Sequence, residues 1–223
     1  MSPRGRGDEA GLPLDDEAIP EAGFVAAELA DELRGLGLRY LTMDARTSRS
    51  PSHVRGRLRS LSDRFTGAQA INLRHQAIPW AYRVFFRHIG LDPDEQQTPV
   101  EELALERMFH GGFVSRNLLD DAITIGIVES GVALRAFDAA KVSGRLGVRP
   151  SVPGEGLARP LPAGTLVIAD ELRPLALLFG DPASAATPGK ETRRAMIVAV
   201  QVRGVPDIAV EEAIWLAASV IRS

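Results

Sequence analysis

The sequence has no cysteine at any of its 223 positions. Disulfide bonds, thiolate metal sites and cysteine nucleophiles are therefore excluded by composition alone. It also lacks any run approaching the roughly 18 consecutive apolar residues that a membrane-spanning helix needs. The stretch at its start, MSPRGRGDEAG, has no apolar segment of the kind a secretory signal carries. We expect a cytoplasmic protein that makes no contact with a membrane.

Several short motifs of enzyme chemistry are missing as well. The sequence contains neither a G-x-S-x-G nucleophile elbow nor a G-x-x-x-x-G-K-[ST] phosphate loop, so the clearest hydrolase and nucleotide signatures are gone. The four histidines do not have the tight spacing of metal ligands. They are His53, His75, His88 and His110. We expect no metal site and no cofactor.

Lysine is nearly absent, with two residues against 24 arginines, a ratio that we interpret as codon usage in a GC-rich genome. The position of the arginines is more informative. Residues 46–88 contain nine arginines and one acid, Asp63, a local formal charge of +8 in a chain whose net charge is −3. Such a segment predicts an RNA-backbone footprint, or alternatively a solvated helix face balanced by the acidic flanks. The RNA-binding candidates are Arg46, Arg49, Arg55, Arg57, Arg59, Arg83 and Arg87.

The apolar fraction of 45% is enough for a substantial core. Residues 1–20 carry glycine, proline and charge without periodicity, which predicts a flexible N-terminus, and residues 21–223 are then expected to form a single domain. Apolar residues at helical spacing predict an amphipathic helix over residues 22–36, followed by a short strand over residues 39–45.

Further elements are indicated by caps and short apolar runs. Ser50 followed by Pro51 predicts a capped helix that reaches about Phe65, and Thr98 followed by Pro99 predicts a second. Other helices are expected at 80–88, where the aromatic side would pack in the core, and at 210–221. Strands are expected at 164–170 and 195–202. Helices first and strands later indicate an α+β fold with mixed or antiparallel sheets packed against helices.

Two neighbouring acids, Asp120 and Asp121, have the composition of a general base and its helper. Adjacent residues point in different directions on any regular element, however, so a helix cap or a buried hydrogen-bonding role is the better interpretation.

Residues 117–138, NLLDDAITIGIVESGVALRAFD, resemble a stretch of the editing module of the phenylalanyl-tRNA synthetase beta subunit, also called the B-three/B-four tRNA-binding domain. That stretch is usually written N-x-V-V-D-V-T-N-Y, then E-x-G-x-P-L-H-A-F-D. The residues in register are Asp121, Glu129, Gly131, Leu134, Ala136, Phe137 and Asp138. The similarity continues to about Thr192, and residues 80–107 are similar to the lead-in of free-standing members. The resemblance implies the B-three/B-four fold.

The family resemblance also implies a function. The module hydrolyses a tRNA that carries the wrong amino acid, typically tyrosine on a phenylalanine tRNA, and recognises the extra hydroxyl with a positioned polar group. The class II motifs of the synthetase core are absent from this sequence, so we do not expect a complete ligase. The pocket candidates implied by the resemblance are Asp121, Thr124, Arg135, Phe137, Gly180 and Thr187.

The polar residues of that family chemistry are replaced at their matching positions. The histidine of H-A-F-D is Arg135 here, the asparagine of T-N-Y is Thr124, and the glutamate that would read the hydroxyl falls at Val198 or Ala199. The threonine before that asparagine is Ile123. An arginine cannot accept a proton at neutral pH, although it could hold a phosphate or carboxylate. No catalytic residue is therefore assigned.

Three functions remain open at this point. The chain could bind a tRNA or aminoacyl-tRNA without breaking a bond, it could be a trans-acting deacylase of mischarged tRNA, or it could bind an amino-acid-like small molecule. Water activated by the terminal hydroxyl of the tRNA would lessen the need for a protein base, which keeps the deacylase open. The oligomeric state is unknown.

Overall fold

The computed structural model describes residues 19–65, 67–180 and 182–223, and two four-stranded sheets organise them. In the first sheet every neighbouring pair is antiparallel, and the strand order is β1-β3-β8-β4. Its strands are β1 (Glu21–Ala22), β3 (Gly37–Asp44), β4 (Ala133–Asp138) and β8 (Arg194–Gln201). The central strand β8 is almost wholly buried because it has neighbours on both sides.

The second sheet is mixed. Its order is β2-β5-β6-β7, where β2 runs parallel to β5 and the other pairs are antiparallel. Its strands are β2 (Phe24–Val25), β5 (Gly147–Pro150), β6 (Leu166–Ala169) and β7 (Pro174–Leu177). The two strands that follow each other at the start of the described chain, β1 and β2, therefore belong to different sheets.

The helices pack on and around these sheets. They are α1 (Ala27–Ala30), α2 (Ser52–Arg64), α3 (Gly67–Leu73), α4 (Ala77–His88), α5 (Pro99–His110), α6 (Leu118–Ser130) and α7 (Asp207–Arg222). A short 3-10 helix, Ala139–Lys141, follows β4. The main hydrophobic core takes buried residues from both sheets and from α4, α6 and α7. The expected α+β fold with mixed and antiparallel sheets packed against helices is confirmed.

Tyr82 ties α4 to the first sheet. Its hydroxyl donates to the carbonyl of Val200 on β8 and accepts a 3.0 Å hydrogen bond from the amide of Ala133, which is the register partner of Val200 on β4. Burial, which outweighs the hydrogen bond from Ala133, raises the pKa of the Tyr82 phenol well above its ordinary value. The ring of Phe179, after β7, lies edge-on to that of Tyr82 at 5.9 Å, so the second sheet contacts the same helix.

The helix expected over residues 22–36 is wrong. The segment forms β1 and β2 and only one helical turn, α1, because amides in its first part bond to distant strands rather than to carbonyls four residues back. These bonds run from Gly23 N to Leu38 O at 2.8 Å, from Phe24 N to Leu146 O at 3.0 Å and from Ala26 N to Val148 O at 2.9 Å. A Cβ on Gly23 would lie 2.8 Å from Leu146 O, so the close approach depends on glycine.

The two expected helix caps have different outcomes. Thr98 and Glu101 form the capping box of α5, as the Thr98-Pro99 pattern predicts. The Ser50 cap is wrong, because α2 begins at Ser52 with Pro51 at the cap position and no side-chain bond. The Ser50 hydroxyl instead donates to the buried carboxylate of Asp121. A hydroxyl bonds more strongly to an ionised carboxylate than to a neutral group, and this bond holds the Ser50 side chain at Asp121.

The other expected helices and strands are present with shifted ends. Most of the flexible segment expected at residues 1–20 lies outside the described residues, so that boundary stays a prediction. Within the described ranges, no helix is long and apolar enough to cross a membrane. The same ranges hold no group of three or more acidic or histidine side chains that could bind a metal ion.

Candidate functional site

Arg135 lies where the outer strands of the two sheets meet. It is on β4, an edge strand of the first sheet, and its guanidinium donates to the carbonyl of Leu177 at 3.3 Å and to that of Gly180 at 3.0 Å. Leu177 ends β7, an edge strand of the second sheet. The Arg135 side chain thus connects the edge strand of the first sheet to the end of β7 by hydrogen bonds, and it stays cationic at any physiological pH.

A cavity of about 620 Å³ opens beside this arginine. The lining comes from α5 and the loop before it, from Arg116 after it, from β4, from residues 177–180 at the end of β7 and beyond, and from one residue each of α6 and β8. Its lining comprises Glu95, Gln96, Gln97, Pro99, Glu102, Leu103, Glu106, Arg116, Ile127, Ala133, Leu134, Arg135, Leu177, Leu178, Phe179, Gly180 and Val200. The volume is that of an ordinary small-ligand site.

The cavity separates polar from apolar walls. Its apolar wall consists of buried side chains from α6, β4, β8 and the segment after β7, namely Ile127, Leu134, Leu178, Phe179 and Val200. At the rim, Glu106 pairs with Arg116 at 2.6 Å. Glu95 and Glu102 carry carboxylates without a side-chain partner among the described residues, so they are available to a cationic group. An apolar group bearing an ammonium and a polarised oxygen would find a partner for each part.

Of the six pocket candidates from the sequence, Arg135 and Gly180 line this cavity. Phe137 is fully buried in the core, and Thr124 lies half-buried on α6. Thr187 is exposed, and its hydroxyl donates to the carbonyl of Ala183 at 3.1 Å. These three residues, and Asp121, lie outside the cavity lining. The structure therefore brings together two of the six.

Asp121 sits in a buried hydrogen-bond network. Its side chain is 1% exposed, and it accepts from the hydroxyls of Ser50 and Ser115 and from the amide of Arg116 at 2.8 Å. Neighbouring Asp120 instead faces Asn117, the N-cap of α6, and burial raises its pKa above the ordinary value. Asp121 thus has a buried hydrogen-bonding role, in agreement with the interpretation from the sequence, whereas Asp120 is exposed as a residue and bonds to the cap residue of α6.

Two of the arginines proposed to contact RNA are neutralised within the fold. Arg57 on α2 donates to both carboxylate oxygens of Glu129 on α6, at 3.0 and 2.7 Å, and this pairing raises its pKa. Arg83 is 4% exposed and bonds to Glu101 at 2.8 Å and to Asp94. Burial acts to lower the pKa of Arg83, and the bonds to Asp94 and Glu101 reverse this and raise it.

The remaining five differ in their surroundings. Arg46, Arg49 and Arg59 are exposed and form no side-chain bond within the described part of the chain. Arg55 is half-buried, and the Arg87 guanidinium lies 5.7 Å from the ring centre of half-exposed Trp80, a cation–π arrangement. The arginine-rich segment is therefore not one continuous basic face.

The acidic rim of the cavity was missed by the sequence reasoning. Glu101 and Glu102 fit the preference for acids in the first turn of a helix, and nothing local distinguishes a dipole partner from a ligand contact. Arg116, Glu95 and Glu106 reach the same cavity only because α5 packs across the edge of β4. The acidic rim could be predicted from the sequence only if the packing of α5 against β4 were already known.

Comparison with known proteins gives one informative result and one negative result. No family model matches the sequence. The chain is 33% identical over 114 residues to the phenylalanine–tRNA ligase beta subunit of Legionella pneumophila (strain Paris), an alignment that covers 48% of this chain and 14% of that subunit. The chain thus matches a small part of the length of its relative. The alignment supports a distant relationship to a phenylalanine–tRNA ligase beta subunit.

Proposed function

We propose that this chain binds the aminoacyl end of a charged tRNA in the cavity beside Arg135 and does not cleave the ester by the chemistry of the editing family. The observation that carries the proposal is the cavity of about 620 Å³, which places a permanent cation beside an apolar wall and an acidic rim. The distant relationship to a tRNA ligase subunit supports the choice of ligand.

Each part of an aminoacyl group meets a suitable partner there. The apolar wall, of which Ile127 and Phe179 are members, accommodates a hydrophobic side chain, and the carboxylate of Glu102 attracts the α-ammonium. Arg135 donates to an ester or phosphate oxygen. Because guanidinium cannot act as a base at neutral pH, Arg135 cannot activate water as a histidine at its position would.

The test compares tRNA charged with a panel of amino acids to the same tRNA uncharged. Charged tRNA with a hydrophobic amino acid should bind about tenfold more tightly, since the buried aminoacyl group adds roughly 1.4 kcal/mol. The half-life of the ester should not shorten when the protein is added. Arg135→Gln should remove most of the preference for charged tRNA, whereas Arg159→Gln, an exposed change outside the cavity, should leave it intact.

Other results would lead to the alternatives. Accelerated loss of an amino acid from any tRNA of the panel would identify a deacylase. Retention of a free amino acid without any binding of tRNA would identify a small-molecule binder. Equal binding of charged and uncharged tRNA, together with no retention of an amino acid, would contradict the assignment of the cavity.

A further inference from the structure

Two segments far apart in the sequence meet beside one end of the first sheet. Residues 45–49 follow β3, and residues 189–194 lead into β8. The amide of Ala45 donates to the carbonyl of Arg193 at 3.0 Å, and the hydroxyl of Thr47 donates to the carbonyl of Gly189 at 2.9 Å. Each segment holds the backbone of the other, so the side chains between them are presented from a fixed frame.

The second segment is also anchored to the core. Thr192 is 1% exposed, and its hydroxyl donates to the carboxylate of Asp138 at 2.7 Å while accepting from the amide of Gly189 at 2.9 Å. The guanidinium of Arg193 donates to the carbonyls of Lys190 and Thr192, at 3.0 and 3.2 Å. The loop is preorganised before any ligand arrives.

Five cations gather at this meeting point, which we call the basic junction: Arg46, Arg49, Lys190, Arg193 and Arg194. The acids of the two segments and the adjoining end of β3 are Asp44 and Glu191, whose side chains are 94% and 97% exposed. They reach the cations only at 3.8 Å, from Asp44 to Arg194, and at 4.0 Å, from Glu191 to Arg193. The junction keeps a formal charge of +3.

Several arginines elsewhere in the described chain are closely paired with carboxylates. Arg57 bonds to Glu129 at 2.7 Å, and Arg149 donates to Glu155 at 2.8 Å. At the junction, by contrast, Arg46, Arg49 and Lys190 form no side-chain bond within the described ranges. Folding brings these like charges together at a cost in repulsion, which an anionic ligand would remove.

The junction is concave as well as charged. Arg46 and Arg193, one from each segment, line a cavity of about 320 Å³ together with Asp44, Ala45 and Ile221. Two guanidinium groups facing one hollow are suited to an anion with several oxygens, because each guanidinium can donate two parallel hydrogen bonds.

We propose that the basic junction binds the phosphate backbone of RNA, an inference that rests on the proposed tRNA function. The aminoacyl cavity is close enough for one RNA to occupy both sites. Arg194 and Val198, the register partner of Arg135, are four residues apart on β8, about 13 Å along the strand. The surface proposed to bind the RNA backbone is therefore the basic junction, which combines Arg46 and Arg49 with the three cations of residues 190–194. It does not include Arg57 and Arg83.

The test neutralises one cation from each segment, Arg46→Gln with Lys190→Gln. The matched control is Arg34→Gln with Arg203→Gln, which removes the same charge from exposed positions just beyond the opposite end of the β3–β8 pair. Binding of labelled uncharged tRNA is measured by fluorescence anisotropy at several salt concentrations. The junction pair should lower affinity about tenfold at low salt and reduce the log–log salt slope by about 1.5, and the control should do neither.

Several outcomes would overturn the proposal. Equal losses in the two pairs would mean a general charge effect, and no loss in either would place the RNA elsewhere. Binding of phosphatidylserine vesicles in place of tRNA would assign the junction to membranes. If the unmodified protein retains a free amino acid but binds no tRNA, the junction proposal fails and the cavity is a site for a small molecule rather than for charged tRNA. If tRNA binding depends on the junction but charged tRNA has no advantage, the junction stands and the cavity assignment fails.

Discussion

Asp121 illustrates how a resemblance at one residue can reflect structure rather than chemistry. Its carboxylate joins the segment before α2 to the start of α6 by accepting from Ser50, Ser115 and the amide of Arg116. A backbone bond from the amide of Leu118 to the carbonyl of Ser48, at 2.8 Å, joins the same two segments. A residue that matches an editing module in register therefore serves the fold, and its removal should be felt as a loss of stability.

Asp121→Ala should lower the free energy of unfolding by about 3 kcal/mol, because it leaves a buried hydroxyl and a backbone amide without an acceptor. Urea denaturation measures the change. Asp63→Ala, at an exposed position on α2, is the control and should change the value by less than about 0.5 kcal/mol. A similar small effect at both positions would contradict a structural role for Asp121.

The Arg149–Glu155 pair predicts a pH dependence of stability. The carboxylate oxygens of Glu155 accept hydrogen bonds from Arg149, and this pairing holds the pKa of Glu155 below its ordinary value of 4.5. A carboxyl whose pKa is depressed by folding stabilises the protein fully above pH 4.5 and loses that effect as pH falls through the folded-state pKa. Glu155→Gln should therefore cost roughly 1–2 kcal/mol at neutral pH and much less in strong acid.

Thermal unfolding across pH values measures this effect, with Glu28→Gln as the exposed control. The difference between the Glu155→Gln variant and the unmodified protein should shrink as the carboxyl of the latter becomes protonated. A difference that stays constant from neutral to acid pH would show that the ionised carboxyl is not the cause.

Among the elements, α5 was the most predictable from sequence. Thr98, Pro99 and Glu101 supply a local capping box, and the interactions it uses lie within four residues of each other. The segment over residues 22–36 was the least predictable, because its helical spacing is real but its amides bond to strands that follow much later. Arg135 was identified from the family pattern, yet its position between two sheet edges depends on how those sheets pack.

The contribution of the α5 cap to stability can be tested with two substitutions of Thr98, one that removes its hydroxyl and one that removes its methyl group. Thr98→Val keeps the volume and removes the hydrogen bonds that the hydroxyl forms with Glu101, while the bond from the Thr98 amide to the Glu101 carboxylate stays. The change should cost about 1–2 kcal/mol and speed amide exchange in the first turn of α5. Thr98→Ser keeps the hydroxyl and should leave that exchange slow. Fast exchange in the serine variant would show that packing of the methyl group, not the cap, orders this turn.

At the scale of the whole molecule, net charge is a poor guide to the surface. The chain has a formal charge of −3, yet it carries a junction of charge +3 at one end of the first sheet and an acidic rim on the cavity between α5 and β4. Local charge along the sequence predicted a basic region but not its boundaries. Three of the five cations of the junction could not be predicted from that local charge, because Lys190, Arg193 and Arg194 join the others only through the pairing of β3 with β8.

Because the hydroxyl of Tyr82 is buried, the absorbance change on its ionisation can report unfolding of the protein. The sequence has two tyrosines, and folding raises the pKa of both, through burial at Tyr82 and through burial and Glu21 at Tyr40. A raised phenol pKa stabilises the folded state below the ordinary value of 10, and that contribution is lost as pH rises through the folded pKa. In an alkaline titration, ionisation of Tyr82 should therefore coincide with loss of far-UV circular dichroism. Tyr82→Phe should remove that absorbance step, and a step that precedes unfolding would mean that water reaches the β4–β8 pair in the native state.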